Sequence, residues 1–268
     1  MHEVNLYRHI TAAEYENALI FTGQINEIIA HRNRLLEQGR LKAEIDLPSK
    51  FWKIIENYNY FLNPTHEIIN SLRFHTFAFT GNYIGDAMPS YWRPAPDDIL
   101  KEYEKLTAQL PDELIARPPR MLGEIGWEIN GGIVNKDMLM YQKHIRALYL
   151  SRVVDLLKNR APIKILEIGP GYGALAYYLW KMLSPSSYYM IDLPESLAFS
   201  TVYLGLATGK GGSLVYNGSS PELLNGRNGF VFAPNFLADD LAGRCKFDLI
   251  INTGSFGEMA PAQVAYYT

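Results

Sequence analysis

The sequence predicts an α/β fold with a mostly parallel sheet, preceded by an α-helical N-terminal lobe. Residues 164–183 read as an apolar strand that runs into a glycine-rich turn and then a helix. Three more apolar runs follow, at 187–192, 230–237 and 247–255, and each ends in polar residues. Strands that alternate with helices are typical of parallel sheets. Before residue 160 the pattern is helical and aromatic.

The glycine-rich turn is the most specific feature. Gly169, Gly171 and Gly173 allow backbone angles that are closed to other residues and let a ligand lie against bare backbone. The helix after the turn begins with free N–H groups. Because Gly169, Gly171 and Ala174 also satisfy the relaxed fingerprint of NAD enzymes, the turn by itself indicates only a nucleoside cofactor.

Acidic residues beside the turn narrow the choice of cofactor. Glu167 lies two residues before the first glycine, where a carboxylate suits a cationic amino group or a sulfonium better than a pyrophosphate. Asp192 ends the second predicted strand about 20 residues after the turn, where an acid accepts hydrogen bonds from ribose hydroxyls. Both nucleotide classes use such an acid, so Asp192 predicts a ribose without saying which cofactor carries it.

Taken in order, residues 166–173, 191–195, 235–237 and 247–252 resemble the motifs of Rossmann-like S-adenosylmethionine-dependent methyltransferases. The resemblance covers residues 163–259. The wording of residues 173–179, 191–195 and 255–259 is similar to a bacterial family of sugar O-methyltransferases. It implies a Rossmann-like sheet, S-adenosylmethionine as cofactor, and transfer of a methyl group to a sugar hydroxyl of a glycan or nucleotide-sugar.

The resemblance also implies a role for each matching position. Glu167 and the turn would hold the methionine part of the cofactor, and Asp192 the ribose. Leu193 would pack on the adenine, while Asn235 would face its exocyclic amine, at a position where the family commonly has Asp. Residues 252–255 would lie where methyl donor and acceptor meet. The full predicted cofactor site is Glu167, Gly169, Gly171, Tyr172, Gly173, Asp192, Leu193, Asn235, Phe236, Asn252 and Ser255.

Methyl transfer is an in-line displacement, helped by alignment of the acceptor oxygen and by a base that takes its proton. Glu258 is the first candidate for that base because it follows the fourth predicted strand, although Ser255 and Glu258 also fit a capping box. His144 lies about two helical turns beyond Asp137, so the two can share a face. Both also fit structural roles, His144 as a histidine whose ring is hydrogen-bonded within the fold and Asp137 as an N-cap.

A divalent metal is a weaker alternative. Some sugar and catechol methyltransferases use one, and Asp239, Asp240 and Glu258 offer hard oxygen ligands. The sequence lacks a diagnostic ligand spacing, so no metal site is predicted. We interpret Asp239 and Asp240 as a solvated helix start or loop.

The chain divides into a helical lobe at 1–160 and a cofactor-binding domain at 161–268. A capping box at Thr11 and Glu14 opens a predicted helix that reaches about Glu37. Further helices are predicted at 48–62, 97–110 and 137–158. We expect this lobe to cover the acceptor pocket or to form a homodimer contact. Residues 117–132 read either as a loop over a sugar, with Trp127 stacked on it and Glu124 or Glu128 bonding its hydroxyls, or as an ordered connector with Trp127 in the core.

Composition limits the classes of binding partner and the cellular compartment that are expected. A formal net charge of −3 gives no general attraction to nucleic acid or anionic lipid. Cys245 is the single cysteine, which excludes an internal disulfide and fits a reducing cytoplasm. We interpret it as a small buried residue. The polar first sixteen residues and the lack of an apolar run of roughly 18 residues predict neither a signal peptide nor a membrane anchor. A cytoplasmic enzyme with a sugar or glycan acceptor is expected.

One departure from the family affects the functional prediction. The family's sheet normally has seven strands, whereas four are predicted here, so we expect a sheet truncated after the fourth strand. Residues 247–252 would then form an exposed apolar edge. A non-catalytic binding or assembly protein that retains the cofactor lobe is therefore the alternative to an enzyme. A nicotinamide enzyme is a third, more distant one.

Overall fold

The computed structural model describes residues 3–4, 7–82, 94–160, 162–209, 213–219, 221–224 and 228–268. The first half of the chain is mainly helical. Its elements are β1 (Glu3–Val4), α1 (Ala12–Glu37), α2 (Ala43–Asp46), a 3-10 helix (Trp52–Leu62), α3 (His66–Asn70), α4 (Phe77–Thr80), α5 (Pro96–Thr107), β2 (Gly126–Ile129), β3 (Gly132–Val134), α6 (Lys136–Leu150) and α7 (Val153–Lys158).

The second half alternates strands with helices, as predicted. Its elements are β4 (Lys164–Ile168), α8 (Ala174–Leu183), β5 (Ser187–Asp192), α9 (Pro194–Thr208), β6 (Leu214–Val215), β7 (Gly229–Pro234), α10 (Ala238–Arg244), β8 (Leu249–Ile251) and α11 (Pro261–Tyr267).

The start of α1 confirms the predicted capping box. The Thr11 hydroxyl accepts a hydrogen bond from the Glu14 backbone N–H, and the Glu14 carboxylate accepts one from the Thr11 N–H. Two free backbone donors at the helix start are thereby satisfied. The helix ends at Glu37, where the sequence predicted its end.

The predicted helix at 137–158 is two helices. Arg152 adopts a left-handed backbone conformation, with φ of 65°, and this breaks the chain between α6 and α7. The N-cap of α6 is Asn135, whose side chain accepts a hydrogen bond from the Met138 N–H. The interpretation of Asp137 as an N-cap is therefore wrong. The helix predicted at 48–62 is a 3-10 helix that begins at Trp52.

Residues 117–132 contain β2 and the first residue of β3, in a small second sheet. β2 pairs in antiparallel fashion with β1 and β3, and this small sheet includes Trp127 and Glu128. Glu124 is buried and forms an ion pair with Arg73, at 2.6 Å between carboxylate and guanidinium. The strand pairing and the buried ion pair fit the interpretation of this segment as an ordered connector.

The main sheet has five parallel strands in the order β6-β7-β5-β4-β8. Four of them are the predicted strands, and β6, only two residues long, was missed. From β4 the chain passes through β5, β6 and β7 on one side, and then returns to form β8 on the other. The order therefore reverses at β4, which creates a crevice at the carboxyl ends of the strands.

Both faces of the sheet are covered. Alternate side chains such as Ile165, Tyr188 and Phe230 pack with α8, α9 and the N-terminal lobe. Their neighbours Leu166, Tyr189 and Val231 pack on the opposite face with α10. Strands buried on both faces explain the continuous apolar runs in the sequence.

The lobe is fastened to the sheet domain through α1 and α9. Arg32 of α1 forms a bidentate ion pair with Glu195 of α9, with a shortest distance of 2.7 Å, and both side chains are mostly buried. Cys245 is buried and free, as predicted. Across the described helices, none combines the length and the apolar character that crossing a membrane requires.

β8 is an edge strand. Within the part of the chain that the structure describes, it pairs only with β4, and Ile250 is 60% exposed.

Candidate functional site

A cavity of about 260 Å³ lies at the carboxyl ends of β4, β5 and β7, between the sheet and the N-terminal lobe. Seven sequence-predicted site residues line it: Gly169, Gly171, Asp192, Leu193, Asn235, Ser255 and Glu258. The lobe contributes the other wall, which includes Ile45, Ser49, Trp52, Phe79, Met140 and Tyr141. The lobe therefore covers the cavity.

The glycine turn has the left-handed backbone conformations that its sequence predicted. Gly169 and Gly171 have φ of 69° and 58°. A Cβ added at Gly169 would collide with the Ser255 hydroxyl, and one at Gly171 would lie 3.0 Å from Phe79 Cβ. Close packing therefore requires glycine here, and it also leaves the backbone of both residues open to the cavity.

Two other turn residues lie behind the cavity wall. Gly173 is the N-cap of α8 and packs against Leu204. Tyr172 is buried beneath the Arg73 guanidinium, with 4.3 Å between the guanidinium carbon and the ring centroid. Both stabilise the turn from inside the protein instead of lining the cavity.

Asp192 is oriented by the backbone around it. One carboxylate oxygen accepts a hydrogen bond from the Leu193 N–H at 2.7 Å, and the other accepts one from the Gly171 N–H at 3.3 Å. Burial nevertheless raises the pKa of Asp192 to about 7. Each carboxylate oxygen retains lone pairs for further donors. The side chain is therefore placed to accept hydrogen bonds from a ligand in the cavity.

Glu167 does not line the cavity. It is 1% exposed within β4 and accepts a hydrogen bond from the Tyr188 hydroxyl at 2.8 Å. Burial, with a smaller contribution from the charge of Asp192, raises its pKa to about 7. Its predicted contact with the methionine part of a cofactor would have to be indirect.

Asn235 is held in a defined orientation. Its side-chain N–H donates to the Asp46 carbonyl at 2.9 Å, which leaves Oδ1 as the remaining acceptor. Oδ1 is buried and without a hydrogen-bond partner among the described residues. A buried acceptor of this kind costs about 1–3 kcal/mol, which a ligand donor would recover. Phe236, the next residue, faces His31 and does not line the cavity.

The loop after β8 is braced by Asn252. Its side-chain N–H donates to the Ile168 carbonyl at 2.9 Å and to the Ser255 hydroxyl, while its Oδ1 accepts from the Gly254 and Phe256 N–H groups. Ser255 lines the cavity, whereas Asn252 supports it from behind.

Glu258 lines the cavity and is partly buried. Burial raises its pKa, and a hydrogen bond from the Trp52 side chain opposes that shift. Its backbone carbonyl accepts a hydrogen bond from the Ser49 hydroxyl at 2.8 Å. The short helical turn at Ser255–Gly257 has no side-chain cap, so the capping-box alternative for Glu258 is not realised.

The other two base candidates lie outside the cavity. Asp137 is 1% exposed and forms an ion pair with Arg73 at 2.7 Å, in the network that also contains Glu124. His144 is partly buried, and burial together with the charge of Lys143 lowers its pKa. Neither side chain lines the cavity.

The charged side chains among the described lining residues of the cavity are all acidic. Asp192 and Glu258 both line it, and no Lys, Arg or His is among its described lining residues. Where the structure describes the chain, no group of three or more His, Cys, Asp or Glu side chains can hold a metal ion. Asp239 and Asp240 occupy the first turn of α10, as the helix-start interpretation predicted.

Several lining residues carried no signal in the sequence. They match no motif and come from four helices: Trp52, Phe79 and Tyr141 each from a different one, and Gln263 and Tyr267 both from α11. No protein-family model matches the chain, and no curated protein is significantly similar to it. The functional proposal therefore rests on the geometry of the cavity.

Proposed function

We propose that the cavity binds S-adenosylmethionine and that the protein is a Rossmann-like O-methyltransferase acting on a sugar hydroxyl. The observation that carries the proposal is a cavity beside the glycine turn that is lined by two carboxylates and, among its described lining residues, by no cationic side chain. A sulfonium and an ammonium group are favoured in such a site.

The residues present fit this cofactor. Asp192 can accept hydrogen bonds from the ribose hydroxyls, and the unpartnered Oδ1 of Asn235 can accept one from the adenine amine. Leu193 supplies an apolar surface for the adenine ring. The bare backbone at Gly169 and Gly171 gives the methionine part room against the turn.

When bound, S-adenosylmethionine supplies an electrophilic methyl group. The protein's part is to hold the acceptor hydroxyl in line with that group and to take its proton. Glu258 is the carboxylate in the cavity left for this proton, because Asp192 is assigned to the ribose. The aromatic side chains of Trp52 and Phe79 line the same space.

The same charge pattern disfavours a nicotinamide dinucleotide. A pyrophosphate carries negative charge and is commonly balanced by helix N-termini or by cationic side chains. The described lining of this cavity offers two carboxylates and no cation. Placing a pyrophosphate there would bring like charges together.

A second candidate is a binding protein that does not transfer the methyl group. It is favoured by β8, which pairs on one side only among the described residues and exposes Ile250.

Turnover of methyl-labelled S-adenosylmethionine against a panel of free sugars, nucleotide-sugars and glycans tests the first proposal. We expect transfer to at least one acceptor, abolished by Asp192→Ala and by Gly171→Val. Glu258→Gln should lower turnover by roughly 10²–10⁴-fold and leave cofactor affinity nearly unchanged. Calorimetric binding of S-adenosylhomocysteine without any transfer would favour the second candidate, and no binding would refute both assignments of the cavity.

A further inference from the structure

We propose that residues 45–49 of the N-terminal lobe, called the strap below, set the specificity of the cavity for adenine by fixing the direction of the Asn235 side-chain amide. The positioning groups are the backbone carbonyl of Asp46 and the side chain of Gln263, which holds the strap in place. The identity of the ligand rests on the proposed function, whereas the strap and its hydrogen bonds can be tested without any ligand.

The local sequence gives the strap its shape. The Asp46 carboxylate accepts a hydrogen bond from the Lys42 N–H at 2.7 Å, which ties the end of α2 to its start. Leu47 is extended, with φ of −100° and ψ of 160°, because the residue before a proline is disfavoured in the helical conformation and Pro48 follows it. The last carbonyls of a helix have no partner within it. The carbonyls at this end of α2 therefore require donors from elsewhere in the chain.

Gln263 of α11 supplies two of those donors. Its side-chain N–H groups donate to the carbonyls of Ile45 and Leu47, at 3.1 and 2.8 Å. Its side-chain oxygen accepts a hydrogen bond from the Ala260 N–H at 2.8 Å, so both ends of the amide are used. Gln263 is 6% exposed, and water therefore competes little for these hydrogen bonds.

The carbonyl between those two, that of Asp46, determines the direction of the Asn235 amide. The Asn235 side-chain N–H donates to it at 2.9 Å. A backbone carbonyl only accepts hydrogen bonds, so it must face the amide nitrogen and not the amide oxygen. With the amide turned over, two acceptor oxygens would face each other at a residue that is 6% exposed. The strap therefore leaves Oδ1, which is buried and has no partner among the described residues, as the atom that a ligand can use.

This direction matters because Asn235 lines the cavity and an amide can offer either a donor or an acceptor. Adenine carries an exocyclic amine, which donates, whereas hypoxanthine carries a carbonyl oxygen at the same position, which accepts. An amide that could turn over would suit both bases. An amide held with Oδ1 toward the ligand suits only adenine, because hypoxanthine would leave buried acceptors unpaired.

Gln263→Glu is the substitution that isolates the strap. It keeps the side-chain shape and an acceptor for the Ala260 N–H, and it removes both donors to the strap. Ala262→Glu adds the same charge at an exposed position of α11 and keeps those donors, so it is the matched control. Ser49→Ala is a second, milder variant, because the Ser49 hydroxyl holds the other end of the strap to the Glu258 carbonyl at 2.8 Å.

The first measurement is the solvent exchange of the Asn235 side-chain amide, followed by ¹⁵N–¹H NMR in the protein without ligand and assigned by loss of the signal in Asn235→Asp. In wild type and in Ala262→Glu, we expect exchange at least about tenfold slower than that of the exposed Asn159 side chain. Gln263→Glu and Ser49→Ala should both speed it. An Asn235 amide that exchanges as fast as Asn159 in wild type, or as slowly as wild type in both variants, would overturn the proposal.

The second measurement is the calorimetric affinity for S-adenosylhomocysteine and for its hypoxanthine analogue. Wild type and Ala262→Glu should bind the adenine compound at least about tenfold more tightly. In Gln263→Glu this ratio should fall about fivefold or more, whereas a purely structural role of Gln263 would weaken both ligands equally. An unchanged ratio would refute the specificity role. Failure of wild type to bind either compound would refute the proposed function and adenine specificity together, and the exchange of the Asn235 amide would still decide whether the strap orients it.

Discussion

Asp192→Asn is the substitution that most sharply tests how the cavity recognises a ribose. The variant keeps the shape of the side chain and one acceptor oxygen, and it removes the charge and the titration. In the wild-type protein burial raises the pKa of Asp192 to about 7, so the carboxylate changes its ionisation in the range where binding is easily measured. Ribose hydroxyls donate hydrogen bonds that favour the ionised form.

The size of the effect follows from that pKa. With that pKa, the Asp192 carboxylate is ionised in about one eleventh of the molecules at pH 6 and in about ten elevenths at pH 8, a tenfold difference. Wild-type affinity for S-adenosylhomocysteine, measured by calorimetry, should therefore fall about tenfold from pH 8 to pH 6. Asp192→Asn should be roughly tenfold weaker than wild type at pH 8, because a charge-assisted hydrogen bond is replaced by a neutral one. Its affinity should change little with pH.

The comparison with Asp192→Asn is needed because Glu167 has a similarly raised pKa and lies behind the turn. If wild-type affinity is flat between pH 6 and pH 8, the ionised carboxylate does not bind the ribose. If the variant keeps the full pH dependence, another group causes it. Either result would refute the assignment of Asp192.

Three further outcomes are expected. Asn235→Leu should weaken S-adenosylhomocysteine binding about fivefold, the value of one hydrogen bond, and should abolish the preference for adenine over a hypoxanthine analogue; an unchanged preference would contradict the role of Oδ1. Arg73→Met should lower the free energy of unfolding in urea by about 3–5 kcal/mol, because Glu124 and Asp137 would stay buried without their partner; a loss under about 1 kcal/mol would show that the network is not held by charge pairing. Because the folded-state pKa of Glu167 is raised to about 7, its contribution to stability should be present at pH 4 and lost as pH rises to 7. Scanning calorimetry should show a smaller loss of stability over this pH range in Glu167→Gln than in wild type, and an equal pH dependence of stability in the two proteins would assign the titration to another group.

Local signals in the sequence predicted much of the sheet domain. The glycine turn, the apolar runs and the acid at the end of the second strand each depend on neighbouring residues, so one sequence suffices to find them. The start of α1 was predicted for the same reason, since a capping box spans only Thr11 to Glu14. β6 was missed because two residues carry no periodicity.

The far wall of the cavity was not predictable in this way. Trp52 and Phe79 reach the cavity only because the lobe folds back over the carboxyl ends of the strands. Asp137 looked like a helix cap or a base because its partner Arg73 is 64 residues away. Charge pairing between residues so far apart in the chain leaves no local pattern in the sequence. Asp137 and Glu124 therefore lie in the protein interior, where the sequence did not predict them.

Calorimetric titration with S-adenosylhomocysteine, with NADH as the comparison ligand, tests whether the cavity is a site for S-adenosylmethionine. We expect one S-adenosylhomocysteine site per chain, lost in Gly171→Val, with no measurable binding of NADH. Gly39→Val, which lies at a helix end with nothing within 4 Å of an added Cβ and outside the cavity lining, is the matched control and should keep the site. Absence of S-adenosylhomocysteine binding to the folded wild-type protein, or tighter binding of NADH, would contradict the account.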